Sequence, residues 1–327
     1  MRLGIAYRMH FRYSEAVTES QNEVRVRPRD GEFQQVLSYR LTSRPHLQVL
    51  SVVDYWGTTV EYLGIRTPHT ELELVAEATV ETESRPPPPE ALAVSSLADA
   101  DFRIAHLEFL ARSPHVDWDS GDAVEQRAAS AIDGASSVQE MVRAVVADVR
   151  DVLAYRQGAT EIGTTLAELV AGGAGVCQDF AHLATGMLRS VGVPARYVSG
   201  YLFAADETAP GSGSAATETV DVVSVQTHAW IEAALPGWGW WALDPTNGGA
   251  VGERHVVIGC GRDYGDVPPV RGAFMGSGTA EVDAEVVIGR HVDGQLSGPD
   301  RAVGLPGVAV AAPSTQDWRH QQSQQQQ

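Results

Sequence analysis

Gly173-Ala174-Gly175-Val176-Cys177-Gln178-Asp179-Phe180-Ala181-His182-Leu183-Ala184 is a glycine-rich entry running into helical periodicity. Phe180, Leu183, Ala184, Met187, Leu188 and Val191 recur at i, i+3, i+4 and i+7, which predicts a helix from Cys177 to about Val191, stopped by Gly192 and Pro194. The glycines let the backbone turn sharply into this helix and place the Cys177 thiol in its first turn. Unpaired N–H groups and the macrodipole there favour a thiolate, the reactive form of sulfur.

Upstream, two more helices carry start signals. Ser137-Val138-Gln139-Glu140 reads as a capping box, followed by an apolar stripe of Val138, Met141, Val142, Val145, Val149 and Val152. Thr165-Leu166-Ala167-Glu168 repeats the capping logic for a shorter helix that Gly172-Gly173 ends. Downstream the pattern becomes extended: Arg196 to Phe203, Val222 to Ala234, and Gly239 to Asp244, with a turn at Pro236-Gly237. Helices followed by antiparallel strands predict an α+β domain. Residues 204–220 are small and acidic and read as a surface loop.

Further out, residues 2 to about 84 alternate with period two, as in Glu23-Val24-Arg25-Val26-Arg27 and Glu71-Leu72-Glu73-Leu74. This is the pattern of half-buried antiparallel strands, and turns at Pro28-Arg29-Asp30-Gly31, Trp56-Gly57 and Leu63-Gly64 suit a small β-sandwich. Pro86-Pro87-Pro88-Pro89 reads as a semi-rigid connector. The expected division is an N-terminal antiparallel β-sandwich over residues 1–85, a proline-containing linker over 86–120, an α+β domain over 121–293, and a disordered Gln-rich tail over 294–327.

Composition narrows the function. With 24 basic against 42 acidic residues the 327-residue chain carries a net charge of −18, a field that repels phosphate backbones and anionic membranes. No nucleic-acid or membrane partner is expected. The first ten residues are interrupted by charge too early for a secretory signal, and no run of about 18 apolar residues occurs, so the expected compartment is the cytoplasm. All 24 basic residues are arginine. Cys177 and Cys260 are too few for a disulfide framework and are expected to be reduced.

Three residues have complementary chemistry. Cys177 supplies sulfur. His228, in Gln226-Thr227-His228-Ala229-Trp230-Ile231-Glu232, falls by alternation on the face of Gln226, Trp230 and Glu232, opposite the apolar Ala229 and Ile231. One hairpin later Asp244 closes a strand at Asp244-Pro245-Thr246-Asn247-Gly248, a strong turn whose carboxylate an adjacent strand could bring beside the imidazole. Thiol, base and orienting carboxylate form the logic of a nucleophilic triad. Cys260, flanked by glycines, reads as structural. His182 lies five positions after Cys177 and projects from another helical face, so it reads as packed or exposed. A zinc site from Cys177, His182 and His228 has the wrong ligand spacing. Gln178 and Asp179 could line the cleft, with a polar first turn the simpler role for Asp179. Arg262, Asp263 and Tyr264 read as bracing. Trp230, Trp238, Trp240 and Trp241 could wall a peptide groove or fill a core. No cofactor, metal or calcium-ligand loop is expected.

Gly-Val-Cys-Gln-Asp-Phe at 175–180, His-Ala-Trp at 228–230 and Asp-Pro-Thr at 244–246 resemble, in order and spacing, the motifs of the bacterial transglutaminase-like superfamily. Residues 21–29 are similar to that family's N-terminal β domain and residues 261–272 to its late segment, so the resemblance covers about 2 to 290. It implies a papain-like α+β core behind a β-sandwich, catalytic Cys177, His228 and Asp244, and a thiolate attacking the amide of a peptide or protein substrate to give a thioester. Water as acceptor makes a cysteine protease or amidase, the expected activity. A primary amine makes an isopeptide-forming transglutaminase. A non-catalytic peptide-binding module is the third possibility. The Cys177 N–H is the candidate oxyanion donor; a second donor is not readable.

Overall fold

The computed structural model describes residues 1–89, 91–204, 222–225 and 227–290. Its N-terminal part is entirely strand: β1 (Arg2–Val17), β2 (Glu19–Val24), β3 (Gln34–Arg44), β4 (Leu50–Val53), β5 (Thr59–Ile65) and β6 (His69–Thr82). The alternation works as expected. Leu3, Ile5, Tyr7, Met9 and Phe11 of β1 and Leu72, Leu74, Ala76, Ala78 and Val80 of β6 turn inward to one apolar cluster, joined by Leu63 and Ile65 of β5.

Past the proline run the chain is not the plain connector that 86–120 suggests. It forms short 3₁₀ turns at Val94–Ala98 and Leu107–Phe109 around α1 (Ala100–Ala105), whose first turn is capped by the Asp99 carboxylate accepting from Phe102 N–H. These elements are too short for periodicity to announce them. The segment is also tied down, because buried Gln139 donates to the Pro89 carbonyl at 2.7 Å and accepts from Leu92 N–H at 2.9 Å.

The helical layer follows: α2 (Ala123–Ala131), α3 (Val138–Val152), β7 (Ala154–Tyr155), α4 (Leu166–Gly172), β8 (Ala174–Gly175) and α5 (Cys177–Ser190). At α3 Ser137 Oγ accepts from Glu140 N–H at 3.2 Å, but the Glu140 carboxylate reaches back to Ser136 rather than Ser137. At α4 the Thr165/Glu168 box closes both ways, and Gly173 ends the helix at φ +63°.

The last third is β9 (Ala195–Leu202), β10 (Val222–Val225), β11 (Thr227–Leu235), β12 (Gly239–Asp244), β13 (Gly249–Ala250), β14 (His255–Gly261), β15 (Val270–Met275) and β16 (Ala280–Arg290). One antiparallel sheet has the order β13-β12-β11-β9-β14. Ala229, Ile231 and Ala233 of β11 with Trp241 and Leu243 of β12 pack on Phe180, Leu183, Ala184, Met187 and Leu188 of α5.

Two expectations need correction. The extended stretch 222–234 is two strands in two different sheets, since β10 pairs with β16 while β11 pairs with β9 and β12. Residues 270–290 do not stay with the α+β unit either. β16 pairs with β1 from Leu3↔Arg290 to Tyr13↔Ala280, and β15 pairs with β2, completing N-terminal sheets of order β10-β16-β1-β6-β3 and β15-β2-β5-β4. Tyr201 of β9, Phe203 directly after it, and Val256 and Ile258 of β14 enter the sandwich cluster as well, so the two units share apolar surface. The surface loop expected over 204–220, apart from residue 204, and the Gln-rich tail expected over 294–327 lie outside the described residues. Among the described residues no helix is long and apolar enough to cross a membrane.

Candidate active site

Cys177 is the first residue of α5 and is half-buried. Its placement depends on Asp179, a buried carboxylate that accepts from Val176 N–H at 2.8 Å and from the Thr160 hydroxyl at 2.5 Å. Burial raises the Asp179 pKa, with these hydrogen bonds opposing the rise. Gly175 is required for close approach: a Cβ there would stand 2.7 Å from Asp179 Cβ. The polar first turn expected of Asp179 is therefore a tether holding the chain's entry into the helix. Cys177 Sγ faces the start of β11, 4.0 Å from the Thr227 carbonyl.

His228 is mostly buried, and its Nε2 lies 2.7 Å from Asp244 Oδ2. The Cys177 thiol lies near enough to the ring to act on its protonation. Burial works against the imidazolium, but the hydrogen bond to Asp244, the nearby Cys177 thiol and the charge on both outweigh it and raise the His228 pKa to about 10. The structure thus brings Cys177, His228 and Asp244 together. The face of β11 that alternation assigned to polar company is itself covered, because Trp230 is fully buried among Val198, Ala242, Val251, Val257 and Cys260. Glu232 on the same face is enclosed by Arg85 at 2.8 Å and Arg196 at 2.5 Å. Gln226 lies outside the described residues.

Asp244 is 1% exposed and accepts five hydrogen bonds. Oδ1 takes Thr246 N–H (2.9 Å) and Asn247 N–H (3.1 Å); Oδ2 takes His228, Asn247 Nδ2 (2.7 Å) and His255 Nε2 (3.3 Å). Burial penalises the carboxylate, yet these donors, led by His228 and His255, hold its pKa far below the usual range. The turn reading and the functional reading of Asp-Pro-Thr-Asn-Gly are both realised: the turn that Gly248 closes, at φ +73°, is what aims backbone donors at the carboxylate.

His255 was not among the residues singled out from sequence. Its Nδ1 accepts from Gly252 N–H at 3.3 Å, so Nε2 carries the hydrogen donated to Asp244. It reaches Asp244 because β14 and β11 flank β9, with His255 opposite Leu202 and His228 opposite Gly200. Gly200 is the gap that permits this, since a Cβ there would meet the Trp230 ring at 2.4 Å and the Val256 carbonyl at 2.2 Å. Trp230 packs edge-on against His255, with ring centroids 5.3 Å apart. A histidine opening a strand was the only signal, and it does not name its partner.

Among the described residues, His228, Asp244 and His255 each offer a ligand atom within 4.8 Å of the others, a grouping that could hold a cation. The Asp244 lone pairs are already engaged by donors. His182 lies elsewhere, buried, stacked on His115, and accepting from Tyr264 N–H at 3.1 Å. Burial pushes its pKa down to about 3. Arg262, Asp263 and Tyr264 brace as expected: Asp263 accepts from Gly265 N–H and His115 N–H, and Arg262 pairs with Asp266. Cys260 is buried in the Trp230 cluster. Trp230 and Trp241 are core, whereas Trp238 is 36% exposed.

Known proteins share this architecture. Residues 125–245 match the Transglutaminase-like superfamily and residues 3–81 the Bacterial transglutaminase-like N-terminal region. An uncharacterized protein of Mycobacterium leprae is 34% identical over 295 residues, 88% of this chain and 99% of the relative. One of Mycobacterium tuberculosis is 33% identical over 298 residues, 87% of this chain and 91% of the relative. A Cytophaga hutchinsonii crystal structure described as a "Putative Cysteine Protease" superposes with TM-score 0.69 at 23% identity, covering 90% of this chain and 92% of that one, and shows the same fold. The chain belongs to the bacterial transglutaminase-like superfamily.

Proposed function

We propose that the protein is a thiol-dependent acyl-transfer enzyme that hydrolyses peptide or side-chain amide bonds. The observation that carries this reading is the His228 ring, hydrogen-bonded to the Asp244 carboxylate at 2.7 Å, with the thiol at the first turn of α5 near enough to raise its pKa. In the first half-reaction the Cys177 sulfur attacks the amide carbonyl, and the tetrahedral oxyanion collapses with cleavage of the C–N bond. The His228 imidazolium gives its proton to the leaving amine, and a thioester remains. Water then attacks the thioester while His228 takes its proton, the acid departs and the thiol is restored. Asp244 holds the imidazole orientation and offsets its charge. The Cys177 N–H, which lacks a helical acceptor at the first turn, is the candidate oxyanion donor, and such donors contribute about 3 kcal/mol in acyl-transfer sites.

Amine transfer is the second reading, favoured by the complete absence of lysine, which would spare the enzyme self-acylation. One experiment separates them: a fluorogenic amide library with and without a dansylated primary amine. Thiol-dependent release without label incorporation supports hydrolysis, label incorporation supports transfer, and neither product from the wild type rejects both.

A further inference from the structure

A cavity of about 470 Å³ lies away from the thiol; neither Cys177 nor His228 lines it. Its walls are Pro86–Pro88, Arg143 and Arg150 of α3, Trp238 just before β12, and Trp240 and Trp241 within it. That volume is in the range of ordinary ligand pockets.

One wall is an open sheet edge. β12 pairs with β11 on its inner side along its length, but on its outer side it meets only the two-residue β13, through Leu243↔Ala250 and Asp244↔Gly249. The Ala242 carbonyl accepts from Val251 N–H at 3.3 Å, so the main chain of Ala242 points outward, and by strand alternation that of Trp240 does too. No strand among the described residues pairs with Trp240 on that side. Across the cavity stand prolines, whose nitrogens carry no hydrogen and cannot satisfy an edge. Gln139 holds this wall in place through Pro89 and Leu92.

The charge is unusual for this chain. None of the described residues lining the cavity is acidic, although the net charge is −18. Arg143 sits with its Cζ 5.1 Å over the Trp241 ring, and Arg150 packs on Gly248, where a Cβ would lie 2.0 Å from its Nη1. Neither makes an ion pair among the described residues, whereas Arg85 is paired with Glu232. An unpaired strand edge calls for main-chain donors and acceptors, and two guanidinium groups without an ion-pair partner among the described residues call for carboxylates, with only the Glu140 carboxylate one turn away acting on Arg143.

We propose that this groove docks an extended acidic peptide segment, added as a strand to the free edge of β12 with its carboxylates on Arg143 and Arg150. The proposal does not rest on the hydrolytic reading.

Fluorescence polarisation on the full chain tests it with a labelled octapeptide alternating glutamate and threonine, its lysine counterpart, and two versions N-methylated on alternate amides, one for each register. Saturable binding of the glutamate peptide is expected, at least tenfold weaker for the lysine peptide and for one of the N-methylated versions. The double variant Arg143→Glu/Arg150→Glu is expected to lose at least tenfold in affinity with an unchanged thermal midpoint. No saturable binding of the glutamate peptide, equal affinity for the lysine peptide, or indifference to both N-methylation patterns would overturn it. The peptide comparisons decide the matter even if the double variant fails to fold.

Discussion

His255 Nε2 stands 3.3 Å from the Asp244 oxygen that His228 Nε2 occupies at 2.7 Å. Two imidazoles from strands on opposite sides of β9 therefore share one carboxylate oxygen, and the nearer one is also acted on by the Cys177 thiol. His255 acts through Asp244, which makes it a positioning residue. Replacing it with Phe removes one of five donors from a buried carboxylate, and a hydrogen bond to a charged group contributes about 1.5–3 kcal/mol. The urea midpoint of His255→Phe is expected to fall accordingly, with kcat reduced more than KM is changed. Unaltered stability and kcat together would show that the contact is incidental.

Turnover on any amide substrate is expected to vanish in Cys177→Ala and His228→Ala. Asp244→Asn keeps the shape but permits the wrong imidazole tautomer, for a loss on the order of 10⁴ in kcat by analogy with serine triads. Thermal melts check that Cys177→Ala remains folded. Residual activity of Cys177→Ala within tenfold of the wild type would rule out sulfur as the nucleophile.

The pH dependence follows from two opposite shifts. His228 has its folded pKa raised to about 10, so its contribution to stability is complete below about pH 6.5 and is lost as pH rises through the window from 6.5 to 10. Asp244 is depressed, so its contribution is complete above the ordinary carboxylate range and is lost only as pH falls below it. Melting-temperature profiles of wild type and His228→Gln are expected to converge as pH approaches 10. Parallel profiles across that window would show that the imidazolium is not held as described.

Gly175→Ala places a methyl group 2.7 Å from Asp179 Cβ, against a side chain tied to Val176 and Thr160. The helix entry must shift, and a displacement of about 1 Å at a nucleophile can cost on the order of 10²-fold in rate. Asp179→Asn, which keeps an acceptor for Val176 N–H, is expected to retain more activity than Asp179→Ala. Initial rates for the three variants make the comparison, and equal rates for Asp179→Asn and Asp179→Ala would remove the tether from the account.

Much of the molecule was legible one element at a time. The α5 stripe, the Thr165/Glu168 box, the alternation of β1 and β6, and the turn at Asp244 all rest on interactions among residues a few positions apart. Chain order also brought Cys177, His228 and Asp244 into view, because a hairpin places β12 beside β11 and a helix N-terminus has few ways to present its first side chain.

What could not be read locally depends on which distant surfaces meet. A strand pattern says which residues share a face but not which strand lies alongside, so neither the pairing of Leu3 with Arg290 nor the placing of β10 and β11 in different sheets was visible. The same limit concealed His255: its partner is set by the order β11-β9-β14, and Trp230 can pass over Gly200 only once those strands are assembled. Sequence alone determined the local elements and the chemical types at the site, through backbone hydrogen bonding and side-chain periodicity over short spans. Tertiary structure decided the closing of the sheets, the second imidazole on Asp244 and the meeting of His228 with Asp244 and Cys177, which raises its pKa against its burial, because each requires groups far apart in the chain to leave water together.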